Sequence, residues 1–232
     1  MRYGHRPVVL GLNDGIQVDQ IASLQPDLIV ATNAGLDADI YARLSAIAPT
    51  VAQSGHDAFF ESWKDQATTI GQAVFKADDM KALVEGVDDT FTTAGKDHPR
   101  FSGAKVLLLS GTFYRDNMQA TPAGWRTDFL TQMGLVIPDS IDNYDHDGRT
   151  LIPRDHIASV LDSADVLVWT TESPEQQAAL EADPIIAGLR AADPRRHVFT
   201  DKELAGAIAF ASPLSYPVVA RRLPALIGAA LA

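Results

Sequence analysis

A helix followed by a strand occurs twice in this sequence with the same order of residues, and this repeat strongly limits the folds available. Residues 18–32 read VDQIASLQPDLIVAT, and residues 154–170 read RDHIASVLDSADVLVWT. Each copy has Asp, one residue, Ile-Ala-Ser, and then an Asp before an apolar strand that ends in Thr. Because the copies lie far apart in the chain, the repeat indicates two related α/β lobes.

A long amphipathic helix is predicted between the two copies. Apolar residues recur at steps of three and four over residues 79–93, and the pattern ends before the Gly95 to Pro99 stretch. We therefore predict an N-terminal lobe over residues 1–78, a connector helix over 79–97 and a C-terminal lobe over 98–232.

The remaining elements follow from apolar runs, periodicity and Pro or Gly stops. Helices are expected within 37–48, 61–75, 125–133 and 175–182, with a final helix after residue 215; strands are expected within 28–31, 50–53, 105–110, 165–170 and 197–200; a polar loop is expected over 137–150.

Composition excludes several classes of protein. The formal net charge is −11, which disfavours nucleic-acid binding, since a clustered basic surface is the usual footprint there. The chain has no Cys, so disulfides and thiolate metal sites are excluded. No apolar run is long enough to span a membrane, and we expect no signal peptide within this chain.

Three motifs, in order, are typical of one family. The first comprises Asp19, Ile21, Leu24, Pro26, Asp27, Leu28 and Ile29; the second is residues 44–51, LSAIAPTV; the third is Trp63, Gln66, Ile70 and Gly71. With the connector helix and the Ser-Pro-Leu-Ser at 212–215, these motifs resemble the siderophore-, haem- and cobalamin-binding proteins of bacterial ABC importers.

The resemblance implies two Rossmann-like lobes joined by the connector helix, with a ligand cleft between them. It implies a monomer in the periplasm or anchored to the cell envelope, which captures a ferric siderophore and delivers it to the importer's permease. No intrinsic cofactor, dedicated metal site or catalysis is implied. Family members usually carry a signal sequence and an opening strand–helix–strand before the position of Val8, so we expect the N-terminal lobe to be incomplete at its start.

Candidate ligand-binding residues follow the carboxyl ends of the expected strands, where α/β proteins bind ligands. An iron chelate that is anionic around its metal needs cationic donors and aromatic walls. The candidates are Asn33, His56 and Phe59 in the N-terminal lobe and Tyr114, Arg115, Trp125 and Trp169 in the C-terminal lobe. Core packing is an alternative for the two Trp residues, and an ordinary loop is an alternative for Tyr114 and Arg115.

Two acidic residues are candidates for docking onto the permease. Asp19 and Asp155 open the two copies of the repeated helix, and the resemblance implies that an acid on each lobe meets arginines of the permease. An acid at a helix N-terminus is also explained by capping, so this alternative stays open.

Three other functions stay open at this point. Haem or cobalamin binding belongs to the same family, with His56 or a Tyr as the haem ligand. A small α/β enzyme acting on a nucleotide or sugar lacks support, since the chain has no GxSxG, GxGxxG or phosphate-loop motif. A truncated, nonfunctional or purely structural product is the third alternative.

Overall fold

The computed structural model describes residues 7–11, 15–54, 61–146 and 149–232. It divides into two compact units, Met1–Lys81 and Ala82–Ala232, called here the N-terminal and C-terminal units. Both contain helices and paired strands, so the predicted α/β class is confirmed. Within the described ranges, no helix has the length and apolar character needed to cross a membrane.

The N-terminal unit is built on two short parallel strands. Its elements are α1 (Val18–Ser23), β1 (Ile29–Ala31), α2 (Ala38–Ser45), β2 (Thr50–Ala52) and α3 (Trp63–Ala73). Ile29 lies opposite Thr50 in the parallel ladder. Val18, Ala31 and Leu44 form the buried cluster beneath it, so the first copy of the repeat folds as the helix and strand that its pattern predicts.

The predicted connector is a single helix, α4 (Ala77–Asp97), which begins two residues before the predicted start. The boundary between the two compact units falls within it, after Lys81. Asp78 and Asp79 lie in its first turn and Lys96 in its last turn, the charge order that the helix dipole favours.

The C-terminal unit contains a six-stranded mixed sheet in the order β5-β6-β4-β3-β7-β8. Its strands are β3 (Val106–Tyr114), β4 (Asn117–Thr121), β5 (Asp145–His146), β6 (Arg149–Ile152), β7 (Val166–Thr170) and β8 (His197–Phe199). The helices that follow α4 are α5 (Asp128–Gln132), α6 (Ile157–Leu161), α7 (Pro174–Ala182), α8 (Pro184–Ala192), α9 (Lys202–Ala209) and α10 (Tyr216–Ala230). The strands β3, β7 and β8 are parallel, whereas β4, β5 and β6 pair antiparallel.

Aromatic packing joins three helices of the C-terminal unit. The rings of Phe91 in α4, Phe129 in α5 and Tyr216 in α10 lie with their centroids 5.5 to 5.7 Å apart. All three side chains are almost completely buried. Such rings contribute both buried area and favourable edge contacts, so this cluster holds α4 against the rest of the unit.

The structure corrects three sequence predictions. Strand β3, predicted over 105–110, continues to Tyr114 and turns back through Arg115 and Asp116 into β4, so Tyr114 lies at the end of a strand and Arg115 in a tight turn. Both turn residues have positive φ angles, 47° and 65°. Without Gly or Asn there, the turn lacks the usual hairpin signal.

The other corrections concern short elements. The segment predicted as a polar loop over 137–150 contains β5 and the start of β6. Strand β6 is held by pairing with β4, and β5 pairs with β6. The helix predicted over 125–133 begins only at Asp128, after a turn. Helices α8 and α9 were not predicted.

Gly95 allows α4 to approach the end of α5, and this contact generates a test of the fold. A Cβ atom at Gly95 would lie 2.6 Å from the backbone oxygen of Met133, whereas one at Gly86, in the same helix, would meet no atom within 4 Å. We expect Gly95→Ala to lower the free energy of unfolding by about 2 kcal/mol and Gly86→Ala to raise it by up to ~1 kcal/mol. Urea denaturation of both variants checks this; equal effects would contradict the close approach.

Candidate functional site

A cavity of about 230 Å³ opens on one face of the C-terminal sheet. Its floor consists of residues of three neighbouring strands: Leu108, Leu109 and Ser110 of β3, Gln119 and Thr121 of β4, and Thr170 of β7. The parallel pairing of β3 with β7 ends here, at Ser110 and Thr170, so the cavity lies at the carboxyl end of β7, where ligands bind in α/β sheets.

The period-two alternation of strands explains why polar residues face this cavity. In β4, Met118 and Ala120 are buried in the core, which turns Gln119 and Thr121 to the opposite face. The Thr170 hydroxyl is held in place because it donates a hydrogen bond to the Leu109 carbonyl oxygen at 2.9 Å. The floor therefore presents hydroxyls and one amide on a rigid sheet.

One wall of the cavity is a turn between β4 and α5 that carries Trp125 and Arg126. The guanidinium carbon of Arg126 lies 4.9 Å from the centroid of the Trp125 ring, a cation–π contact. Buried Thr127 fixes the turn, since its hydroxyl donates to the Pro122 oxygen at 2.9 Å and accepts from the Gly124 N–H at 3.1 Å. An aromatic surface and a fixed cation thus lie side by side.

The Arg126 guanidinium keeps its positive charge in this position. Partial burial lowers its pKa, and the nearby Tyr216 phenol acts in the opposite direction. An arginine pKa is so high that this lowering leaves the group protonated at neutral pH. Arg126 is therefore a constant cation at the wall.

The rest of the lining is apolar except for one carboxylate. Ala205, Ile208 and Ala209 belong to α9, and Ala211 follows it. Glu172, two residues beyond the end of β7, adds a carboxylate to the lining. The cavity therefore combines an apolar side, an aromatic ring, neutral hydrogen-bonding groups and two opposite charges.

Of the sequence-predicted residues, Trp125 lines the cavity, whereas Tyr114 and Arg115 do not. The latter two lie at the tip of the β3–β4 hairpin, where the Arg115 guanidinium is 5.3 Å from the Tyr114 ring. The Tyr114 side chain is 40% exposed. The predicted cation–aromatic pair exists there, but an equivalent pair, Trp125 and Arg126, lies at the cavity.

Trp169 lies in the core instead of the cavity. It has no exposed surface, and its Nε1–H donates to Nδ1 of buried His197 at 3.2 Å. The two rings stack with centroids 5.9 Å apart, and Phe199 stacks on both. Its neighbour Thr170 faces the cavity, because adjacent strand residues point to opposite faces.

The buried His197 makes the stability of the protein depend on pH. Burial and the positive charges of Arg196 and Arg190 lower the pKa of His197 to about 4, against the weaker opposing effect of Asp193 and Glu181. Between about pH 6.5 and 4 the unfolded chain binds the proton and the folded chain does not. Stability is therefore full above this range and falls by up to ~3 kcal/mol as the pH drops through it.

We expect His197→Gln to lose this part of the pH dependence, since Gln cannot bind the proton. Urea denaturation at intervals from pH 7 to 4 measures it. Replacement of the exposed His156 by Gln is the matched control and should keep the wild-type slope. A slope unchanged in His197→Gln would contradict the assignment.

In the N-terminal unit, Asn33 is exposed in the turn that follows β1. His56 and Phe59 lie outside the described residues. The buried Thr32 hydroxyl donates to Oε1 of Gln66 at 3.1 Å. The Thr32 side chain is therefore hydrogen-bonded at the carboxyl end of β1, next to exposed Asn33.

The two candidate docking acids are both exposed. Asp19 lies in the first turn of α1, and Asp155 in the 3₁₀ helix Arg154–His156 that precedes α6. The N-cap of α1 is Gln17 and that of α6 is His156, so neither Asp occupies an N-cap. Neither carboxylate is therefore an N-cap, and each lies in the first turn of its helix, where the helix dipole favours a negative charge.

No group of three or more His, Asp or Glu side chains in the described ranges is arranged to hold a metal ion. Sequence reasoning missed most of the cavity, namely Ser110, Gln119, Thr121 and the residues of α9. The only signal for Gln119 and Thr121 was the alternation of polar and apolar residues over 117–121.

Comparisons with known proteins agree with the fold. A family model described as "Periplasmic binding protein" matches residues 2–204. A crystal structure of a periplasmic solute binding protein from Mycobacterium smegmatis is 63% identical, with a TM-score of 0.91 over 99% of this chain and 78% of that chain.

Two curated proteins of Bacillus subtilis also match. The probable siderophore-binding lipoprotein YfiY is 39% identical over 136 residues, which is 56% of this chain and 38% of that protein. The Fe(3+)-citrate-binding protein YfmC is 36% identical over 135 residues, 58% of this chain and 42% of that protein. The matched region thus spans about two fifths of each curated relative.

Proposed function

Since this chain belongs to the periplasmic binding protein family, we propose that it captures a ferric siderophore complex and delivers it to an ABC importer. Two of its relatives are named for siderophore and Fe(3+)-citrate binding. The observation that carries the proposal is the cavity on the C-terminal sheet with Trp125 and Arg126 on its wall.

The lining of this cavity suits recognition of a whole chelate. The oxygen atoms of an iron chelate accept hydrogen bonds, and the cavity offers donors in Gln119, Ser110 and Arg126. The indole of Trp125 offers a flat surface for the organic part of the ligand. Capture by such contacts needs no covalent step, so we propose a binding protein and not an enzyme.

The geometry gives haem less support. The described residues that line this cavity include no His or Tyr, the side chains that the sequence suggested as axial ligands. We therefore propose a chelate held by its organic periphery, with the iron retained by the siderophore.

The proposed partner is the permease of an ABC importer in the cell envelope. Asp19 and Asp155 supply one exposed acid in each unit, and exposed charges on a chain of net charge −11 favour a basic partner surface. We propose that a monomer in the periplasm, or anchored to the envelope, docks through these two residues.

Calorimetric titration with ferrichrome, ferric enterobactin, ferric citrate and haem tests the proposed capture. We expect saturable micromolar or tighter binding of a ferric chelate and about tenfold weaker binding by Trp125→Ala, because the aromatic surface and the cation–π partner of Arg126 are lost. Tyr41→Ala removes an exposed aromatic residue in α2 and should bind normally. Binding of none of the iron chelates by the folded protein would refute the proposal.

Docking is tested separately by charge reversal. We expect the double variant Asp19→Lys, Asp155→Lys to bind the chelate with wild-type affinity but to support little uptake of radiolabelled iron by cells that depend on this protein. Opposite charges at an interface attract, and reversal produces repulsion. Asp142→Lys, at another exposed position, is the control for net charge and should support normal uptake. Normal uptake by the double variant would contradict the docking role.

A further inference from the structure

The charges that line the cavity cancel. Arg126 contributes one positive charge and Glu172 one negative charge, and the other described lining residues are neutral. Both groups border one cavity of about 230 Å³, so a ligand that fills it lies near both. A receptor for a polyanion needs an excess of cationic donors, and this cavity has no such excess among its described lining residues.

The carboxylate of Glu172 is not neutralised by an ion pair. Among the described residues, no cation lies within salt-bridge distance of it, whereas Arg154, Arg190, Arg196 and Arg222 each pair with a carboxylate elsewhere. Glu172 is exposed at the cavity, so its negative charge faces both solvent and any ligand that enters.

The backbone at Glu172 is also held in place. The Glu172 N–H donates to Oε1 of Gln176 at 2.7 Å. The preceding residue, Thr171, is fully buried and its hydroxyl donates to the backbone oxygen of Thr200, while the Thr200 hydroxyl donates back to the Thr171 oxygen at 2.9 Å. The position from which the carboxylate projects is thus fixed by the end of β7 and the start of α7.

On the basis of the proposed function, we propose that Glu172 is a specificity-determining residue that restricts the cavity to neutral or singly cationic ferric hydroxamates. Three hydroxamates neutralise the three charges of the ferric ion, so such complexes carry no charge at the metal. Three catecholates leave three negative charges, and citrate complexes are also anionic. Glu172 repels these ligands, and the single cation Arg126 does not offset the cost of removing their charges from water.

The neutral groups of the floor suit the same ligand class. The Thr170 hydroxyl donates its hydrogen bond to the Leu109 oxygen, so its own oxygen is left to accept from ligand N–H groups. The Ser110 oxygen accepts the Thr112 N–H at 3.3 Å, which leaves its own O–H to donate. With the amide of Gln119, the floor both donates and accepts, as the amide and hydroxamate groups of such chelates require.

The test is calorimetric titration of the wild-type protein and Glu172→Gln with four probes: neutral ferrichrome, singly cationic ferrioxamine B, triply anionic ferric enterobactin and ferric citrate. We expect the wild type to prefer the first two. In Glu172→Gln, affinity for ferrioxamine B should fall three- to tenfold, affinity for ferric enterobactin should rise by a similar factor, and affinity for ferrichrome should stay the same. These shifts should shrink at high salt.

Two controls separate this role from a general effect. Glu175→Gln removes an exposed carboxylate from the first turn of α7, outside the cavity lining, and should leave all four affinities unchanged. Arg126→Gln should shift the preference in the opposite direction to Glu172→Gln, further against the anionic chelates.

Preference of the wild type for an anionic chelate, or a ratio of affinities unchanged in Glu172→Gln, would overturn this inference and leave the proposed capture of ferric chelates intact. Binding of none of the four probes by folded protein would overturn the proposed function and this inference with it.

Discussion

The position of β3 in the centre of the C-terminal sheet is the constraint on which the candidate site depends. This strand pairs in parallel with β7 and antiparallel with β4. Successive side chains of β3 point to the two faces of the sheet. Leu107 and Leu109 pack in the core, and Leu108 and Ser110 face the cavity. A shift of register by one residue would exchange the two faces and place polar groups in the core.

Gly111 shows how tightly this arrangement is packed. A Cβ atom there would lie 2.5 Å from the backbone oxygen of Thr170. The strand therefore passes close to the end of β7. Its pairing with β4 also shifts register between Leu109 and Phe113, just before the hairpin turn. Glycine at this position lets the floor of the cavity close without a gap between β3 and β7.

The chemistry of the cavity follows from what the sheet and its loops present. The floor supplies neutral hydrogen-bonding groups on rigid strands, and the Trp125–Arg126 turn supplies an aromatic surface beside a permanent cation. Groups that are held in place before the ligand arrives lose little conformational entropy on binding. The account is therefore one of capture by a preorganised surface, with Glu172 setting which charges are accepted.

Much of the fold could be predicted from the sequence, because the repeated helix–strand unit and α4 have long, regular apolar patterns. The hairpin of β3 and β4 could not, since its turn residues, Arg115 and Asp116, adopt positive φ angles that usually call for Gly or Asn. Because the hairpin was not predicted, the sequence located Trp125 but not Gln119. The exposure of Gln119 to the cavity depends on the pairing of β4. The sequence could not distinguish Trp125 from Trp169 as a ligand-facing aromatic residue. Only the burial of Trp169 in the core separates the two.

The central claim is that an intact ferric chelate binds in the cavity of the C-terminal unit. Anomalous X-ray diffraction from crystals grown with ferrichrome locates the iron atom directly. The account predicts one iron peak beside this cavity, with the chelate in contact with Trp125, Arg126 and Ser110 and its iron still held by the three hydroxamates. An ordered chelate bound elsewhere in the C-terminal unit, or iron coordinated by protein side chains without its siderophore, would contradict it.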